Sequence, residues 1–131
     1  MLPIFHTENF TPHALGIDME SITRFEKNLV QDARFLNRVY TSGELSYCFA
    51  KRKPSQHLAV RFCAKEACLK ALYQLYPDFR LSLTDIEIRH QPGGAPALTI
   101  LKKGYPCVRL LLSLSHCDDK AIAVVLATLS V

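Results

Sequence analysis

"QHLAVRFCAKEACLKALYQL", residues Gln56 to Leu75, carries the longest helical pattern in the chain. Val60, Ala64, Ala67, Cys68, Ala71 and Leu75 recur at steps of three and four and form an apolar stripe. Pro77 lies just beyond and ends the helix, while Pro54 and the basic run Lys51, Arg52, Lys53 mark a loop before it. Inside the pattern, Glu66 and Lys70 share a face at i and i+4. As an exposed ion pair they contribute only about 0.3–0.5 kcal/mol. Phe62 and Cys63 occupy the preceding turn of nearly the same face, so that face is not plainly solvent. A carboxylate and an ammonium placed there need partners. A hard divalent cation and a phosphate would satisfy both. Taken alone, the ordinary ion pair is the simpler reading.

N-terminal to this helix, "HALGID" (His13 to Asp18) reads as a short strand. Ile22, Phe25 and Leu29 give a helical spacing that Ser21 could cap, and "DARFLNRVY" (Asp32 to Tyr40) is a second short helix. Thr41 with Glu44 three residues on predicts a capped helix over "TSGELSYC". C-terminal to it the period changes. "LTDIEI" sets Leu83, Asp85 and Glu87 on one face of a strand, "QPGGAP" is turn chemistry, and "ALTIL" resumes a strand. "CVRLLLSLSH" and "KAIAVVLATL", separated by "CDD", are two further strands. The expected fold is α+β, with helices packed on one face of an antiparallel sheet.

The 131 residues suit one domain, 1–131, with 1–14 as an N-terminal extension. Hydrophobic residues at 49% and charged residues at 21% exclude a disordered chain. No apolar run reaches the roughly 18 residues that span a bilayer, and the start has no basic region followed by an apolar stretch, so neither a membrane span nor a secretory signal is expected. Five cysteines at irregular spacing, with no CxxC pair, argue against a disulfide framework and a zinc site. They read as reduced thiols of a cytoplasmic protein. A net charge of +4 permits an anionic partner without naming one. Nucleic-acid motifs are missing.

Three polar features depart from core logic. Asp18 ends an apolar strand, most simply as a cap, and Glu20 follows at i+2, facing the same way in an extended chain. Glu66 and Lys70 are the second feature. His116, closing "LSLSH", is the third; it is either structural or a donor beside a phosphate.

In order along the chain, "GID", "RFCAKEACLK", "TDIEI" with its G-x-P turn, and "SLSH…AIAVV" resemble the holo-acyl-carrier-protein synthases, the small class of 4′-phosphopantetheinyl transferases. The resemblance runs from about Leu15 to Val125. It implies transfer of the phosphopantetheine arm of coenzyme A to a serine of apo acyl carrier protein, releasing adenosine 3′,5′-bisphosphate, in fatty-acid biosynthesis. It implies Mg²⁺ held by Asp18 and Glu66, and a homotrimer with active sites at the subunit seams. Lys70 falls on the motif lysine and His116 on the late histidine. Arg61 and His116 become expected contacts to nucleotide phosphates, and Glu66 a candidate proton acceptor.

Arg24, Lys27, Arg34 and Arg38 then read as a docking surface for an acidic carrier protein, against the simpler reading of a solvated face. The chain departs from the family pattern at three points. "ALYQLYPDFRLSL" has no glycine where the family carries a glycine-bearing loop, Ala95 stands where lysine is common, and Glu20 offers a third metal ligand as in the larger transferase class. The alternatives are a transferase for polyketide or peptide-synthase carrier domains, or a non-catalytic basic module that docks an acidic protein.

Overall fold

The computed structural model describes residues 12–129; most of the expected extension 1–14 lies outside the described residues. Strand β1, His13–Ser21, alternates strictly. Ala14, Gly16, Asp18 and Glu20 face inward, while Leu15, Ile17 and Met19 stay 56–62% exposed on the other side. The strand starts at His13, as the reading of His13 to Asp18 expects, and runs three residues further, to Ser21.

Helix α1 occupies Ile22–Arg24 and widens into a π-turn over Phe25–Leu29. Ser21 precedes it without a side-chain cap; its hydroxyl meets Thr23 Oγ1 at 2.7 Å instead. Helix α2, Ala33–Val39, is capped by Asp32, which accepts from the Phe35 N–H. Helix α3, Ser42–Phe49, starts with the expected capping box of Thr41 and Glu44. Helix α4, Pro54–Leu75, begins at Pro54, the first-turn position where a missing N–H costs nothing. Its burial exceeds the sequence stripe: Leu58, Ala59, Arg61, Cys63 and Lys65 are also buried, whereas Val60 and Leu75 are only half-buried.

After α4, Leu83–Asp85 form a 3₁₀ turn rather than the start of a strand. The cause is local. Ser82 and Asp85 make a reciprocal capping box, in which the Asp85 carboxylate accepts the Ser82 N–H at 2.8 Å. Strands β2 (Ile86–His90) and β3 (Pro96–Ile100) pair as a separate two-stranded sheet. Strands β4 (Val108–Cys117) and β5 (Lys120–Leu129) complete a three-stranded antiparallel sheet in the order β1-β5-β4. So the fold is α+β as expected, with two sheets instead of one.

Helix α4 lies across the inner face of the larger sheet. Beneath it β5 presents Ala121, Ala123, Val125 and Ala127, all fully buried. These small residues let the helix settle close. The tightest approach is at β1: a Cβ on Gly16 would sit 1.8 Å from the Ala67 carbonyl oxygen and 3.0 Å from the Ala71 nitrogen. Only glycine fits there. The outer face of the sheet bears Leu15, Ile17, Met19, Leu111 and Val124, all exposed. The five cysteines are free, with Cys48, Cys63 and Cys68 buried and Cys107 and Cys117 exposed. Among the described residues, no helix is long and apolar enough to cross a membrane.

Candidate active site

Because Gly16 holds β1 against α4, Asp18 two residues on is carried to the same helix face. Its Oδ1 accepts from Lys70 Nζ at 3.1 Å, and Lys70 also donates to the Ile17 carbonyl at 2.9 Å. The expected Glu66–Lys70 pair does not form: Lys70 spans to the strand, and Glu66 has no ion pair among the described residues. Asp18 Oδ2 is buried with no hydrogen-bond partner. Burial raises the Glu66 carboxyl above its ordinary range, and the Asp18 and Glu20 carboxylates add to the rise against Lys70. Cys63 lies in the same stripe. Its thiol donates to the Ala121 carbonyl at 3.4 Å, and burial with the nearby Asp18 and Glu20 pushes it up to about 12. Like charges are thus gathered on the β1 flank of α4 with acceptor oxygens left over.

Those leftover oxygens fit a hard divalent cation, which takes two carboxylates and keeps its own waters. Glu20 faces the same side but is held by Arg24 at 3.1 Å. Among the described residues no three acidic, histidine or cysteine side chains are grouped so as to hold a metal. The centre therefore offers two carboxylates as it stands.

Glu66 also opens onto a cavity of about 480 Å³ lined by Arg34, Arg38, Phe35, Val39 and Phe62. Two of the expected docking cations therefore border the same groove as the candidate metal ligand. Arg24 is engaged with Glu20, and Lys27 is exposed in the π-turn, so their i, i+3 spacing does not lie on a regular α-helical face.

Arg61 and His116 lie elsewhere. Arg61 precedes Glu66 by five residues, which turns it about 140° around the helix. Through the register Glu20↔Ala121↔His116, His116 stands two strands from Glu20, about 9–10 Å across the sheet on the β4 flank of α4. There it meets Gln56 at 3.2 Å. Both residues line a separate cavity of about 260 Å³, together with Tyr47, His57 and His90. One chain thus carries two polar clusters on opposite flanks of one helix.

Sequence reasoning passed over several residues that support or border the two clusters. Nothing in the sequence around Gly16 signals its contact with the α4 backbone. Lys65, beside Glu66 in the motif, is fully buried and ion-paired with Glu44, and donates to the Val39 and Leu83 carbonyls at 2.7 and 3.1 Å. Lys51, Arg52 and Lys53, read as a loop, line a basin of about 480 Å³ with Gln56 and His57. The clustering of basic residues before Pro54 was the available signal.

The chain matches the 4′-phosphopantetheinyl transferase superfamily over residues 14–125. It is 40% identical over 117 residues to a holo-[acyl-carrier-protein] synthase of Moorella thermoacetica, covering 85% of this chain and 90% of that one. Among solved structures, a Helicobacter pylori holo-[acyl-carrier-protein] synthase in complex with coenzyme A has a TM-score of 0.68 at 36% identity, covering 85% of this chain and 96% of that one. A Chronobacterium ammoniagenes ACPS–CoA complex has a TM-score of 0.76 at 27% identity, covering 91% and 98%. This likeness over nearly the whole chain places the protein among the holo-acyl-carrier-protein synthases of the 4′-phosphopantetheinyl transferase superfamily.

Proposed function

We propose that the chain carries out its family's transfer, moving 4′-phosphopantetheine from coenzyme A to a serine of apo acyl carrier protein in fatty-acid biosynthesis, at a Mg²⁺ centre formed by Asp18 and Glu66. The observation that carries this reading is the convergence of those two carboxylates, one from β1 and one from α4, with a buried Asp18 oxygen left unpaired. Bound there, Mg²⁺ would neutralise charge developing on the diphosphate. Glu20 would join as a third ligand only by releasing Arg24.

The chain's own residues then divide the work. The serine oxygen forms a bond to the phosphorus bearing the pantetheine arm, and the bond from that phosphorus to the bridging oxygen breaks. Adenosine 3′,5′-bisphosphate leaves with the electron pair. Glu66, the acidic residue of the family motif on α4, is the acceptor we assign to the serine proton. Lys70 uses two donors on Ile17 and Asp18, so its ammonium keeps a third for an oxygen of the departing phosphate. Arg61 and His116 would bind nucleotide phosphates. They stand on the far flank of α4, so they would serve the site of a neighbouring subunit.

The apolar outer sheet face supports that assembly. Leu15, Ile17 and Met19 line up on β1, with Leu111 and Val124 exposed on the adjoining strands. We read this face as the seam of a homotrimer. Free thiols throughout suit a reducing compartment, and we place the reaction in the cytoplasm.

The test is a mass measurement on the carrier. Incubated with coenzyme A, Mg²⁺ and apo acyl carrier protein, the wild type adds one phosphopantetheine, and Glu66→Ala loses at least 100-fold in rate. A variant that keeps its rate would remove Glu66 from the centre. Charge reversal at Arg24 and Arg34 should raise the KM for carrier protein several-fold and leave that for coenzyme A unchanged. An unchanged carrier KM would move the docking surface elsewhere.

A further inference from the structure

The two inward-facing carboxylates of β1 are each held by a cation at 3.1 Å, Asp18 by Lys70 and Glu20 by Arg24. The holds differ. Lys70 reaches from α4, is anchored a second time on the Ile17 carbonyl, and still leaves Asp18 Oδ2 unpaired. Arg24 sits on α1 and meets Glu20 through Nη1 alone, with no other side-chain hydrogen bond among the described residues. Its side chain is 50% exposed, whereas that of Glu20 is 15% exposed. An ion pair so open to solvent is a weak hold and is readily exchanged for another.

The surroundings say what exchanges it. Phe25, next to Arg24, is fully buried against Phe35 and Phe62, at ring separations of 6.1 and 5.7 Å. Those two rings wall the groove of Arg34, Arg38 and Glu66. The Arg24 backbone is thus pinned beside that groove, and its guanidinium is the part free to swing. Neither Arg34 nor Arg38 has an ion pair among the described residues. An acidic protein drawn to these two cations comes within reach of the third. On the other side of the pair, Glu20 lies close enough to Glu66 for its charge to help raise that carboxyl. Glu20 is a further oxygen donor kept off the centre. Accordingly, as the side chains stand, no three ligands are grouped for a metal among the described residues.

We propose that docking of an acidic carrier protein and binding of Mg²⁺ are coupled through the Glu20–Arg24 pair. A carboxylate of the carrier takes the Arg24 guanidinium, and the released Glu20 turns to the cation beside Asp18 and Glu66. One ion pair is exchanged for another, and the centre gains a ligand once the acceptor is in place. The inference rests on the Mg²⁺-dependent transfer proposed above. Linkage makes the effect reciprocal: the carrier raises Mg²⁺ affinity by the same factor as Mg²⁺ raises carrier affinity.

The experiment is calorimetric titration of the full chain with apo acyl carrier protein, without coenzyme A, in chelator or in saturating Mg²⁺ at matched ionic strength. Wild type binds the carrier about five- to tenfold tighter in Mg²⁺. Glu20→Gln frees Arg24 from the outset. It binds the carrier tighter than wild type without metal, and gains less than about twofold from Mg²⁺. Arg24→Gln, titrated with Mg²⁺ alone, binds it several-fold tighter than wild type. Equal carrier affinity of the wild type with and without Mg²⁺ overturns the proposal. So does an unchanged Mg²⁺ affinity in Arg24→Gln, or a full gain in Glu20→Gln, which would trace the effect to neutralisation of Asp18 and Glu66. The wild-type comparison needs no substitution, so it decides even if a variant fails to fold. Carrier modification measured in parallel separates the readings. Transfer without coupling overturns this inference alone, and coupling without transfer overturns the enzymatic reading alone. No Mg²⁺ binding by the wild type overturns the metal centre and this inference with it.

Discussion

Lys65 and Glu66 are neighbours on α4 and live in opposite circumstances. Lys65 is enclosed: it pairs with Glu44 and two carbonyls, while the second Glu44 oxygen accepts the Ile88 N–H at 2.9 Å. Every charge there has a protein partner. Glu66 has none among the described residues, and beside it Asp18 keeps a buried oxygen unpaired. The lesson is that burial of charge does not by itself mark a site. A closed network is scaffold, whereas an open one of like sign awaits something from solution.

The largest way to break the contrast is Lys65→Met. It strands Glu44 in the core and should cost about 3–5 kcal/mol in urea denaturation. Adding Glu44→Gln should recover part of that, since an amide still accepts from Ile88. A loss under about 1 kcal/mol would show that the pair is not closed. Next comes Gly16→Ala, whose methyl meets the α4 backbone and should cost about 1–3 kcal/mol. Because the strand must back away with Asp18, transfer activity should fall more steeply than stability. Equal falls would detach Gly16 from the centre.

The smallest effect has the opposite sign. The folded Glu66 carboxyl is raised above its ordinary value, so its contribution is fully favourable below that ordinary value and is lost as pH rises through the raised one. Metal-free Glu66→Gln should therefore melt higher than wild type at pH 7–8, by about 1–4 °C given partial solvent screening, and show no gain near pH 4. Adding Mg²⁺ should narrow or reverse the difference, because only the wild type gains a second carboxylate ligand. A variant that melts lower at both pH values would deny the repulsion.

Much of this was legible in the sequence because it is periodic. Alternation along β1 puts Asp18 and Glu20 on one side, whereas the meeting of Asp18 with Glu66 was implied by the family resemblance and not by the period of α4. The Thr41–Glu44 box declared the start of α3. What was not legible depended on distance in space. The capping glutamate is also the buried partner of Lys65, twenty-one residues on, and nothing local announces that. Lys70 left its i−4 neighbour because the strand carbonyl and carboxylate offered a better pair of acceptors. Arg61 and His116 were expected at the nucleotide phosphates, His116 from a neighbouring subunit, and helical rotation and the strand register put both on the flank of α4 away from Glu66.

The contact at Gly16 is made by main-chain atoms of a strand and a helix, with no side chain between them. The spacing of the two backbones that carry the carboxylates is thus fixed by peptide geometry. Drift in the surrounding apolar residues can loosen or refill the interior without altering that span, so the centre is insulated from most mutation and acutely exposed at a single codon.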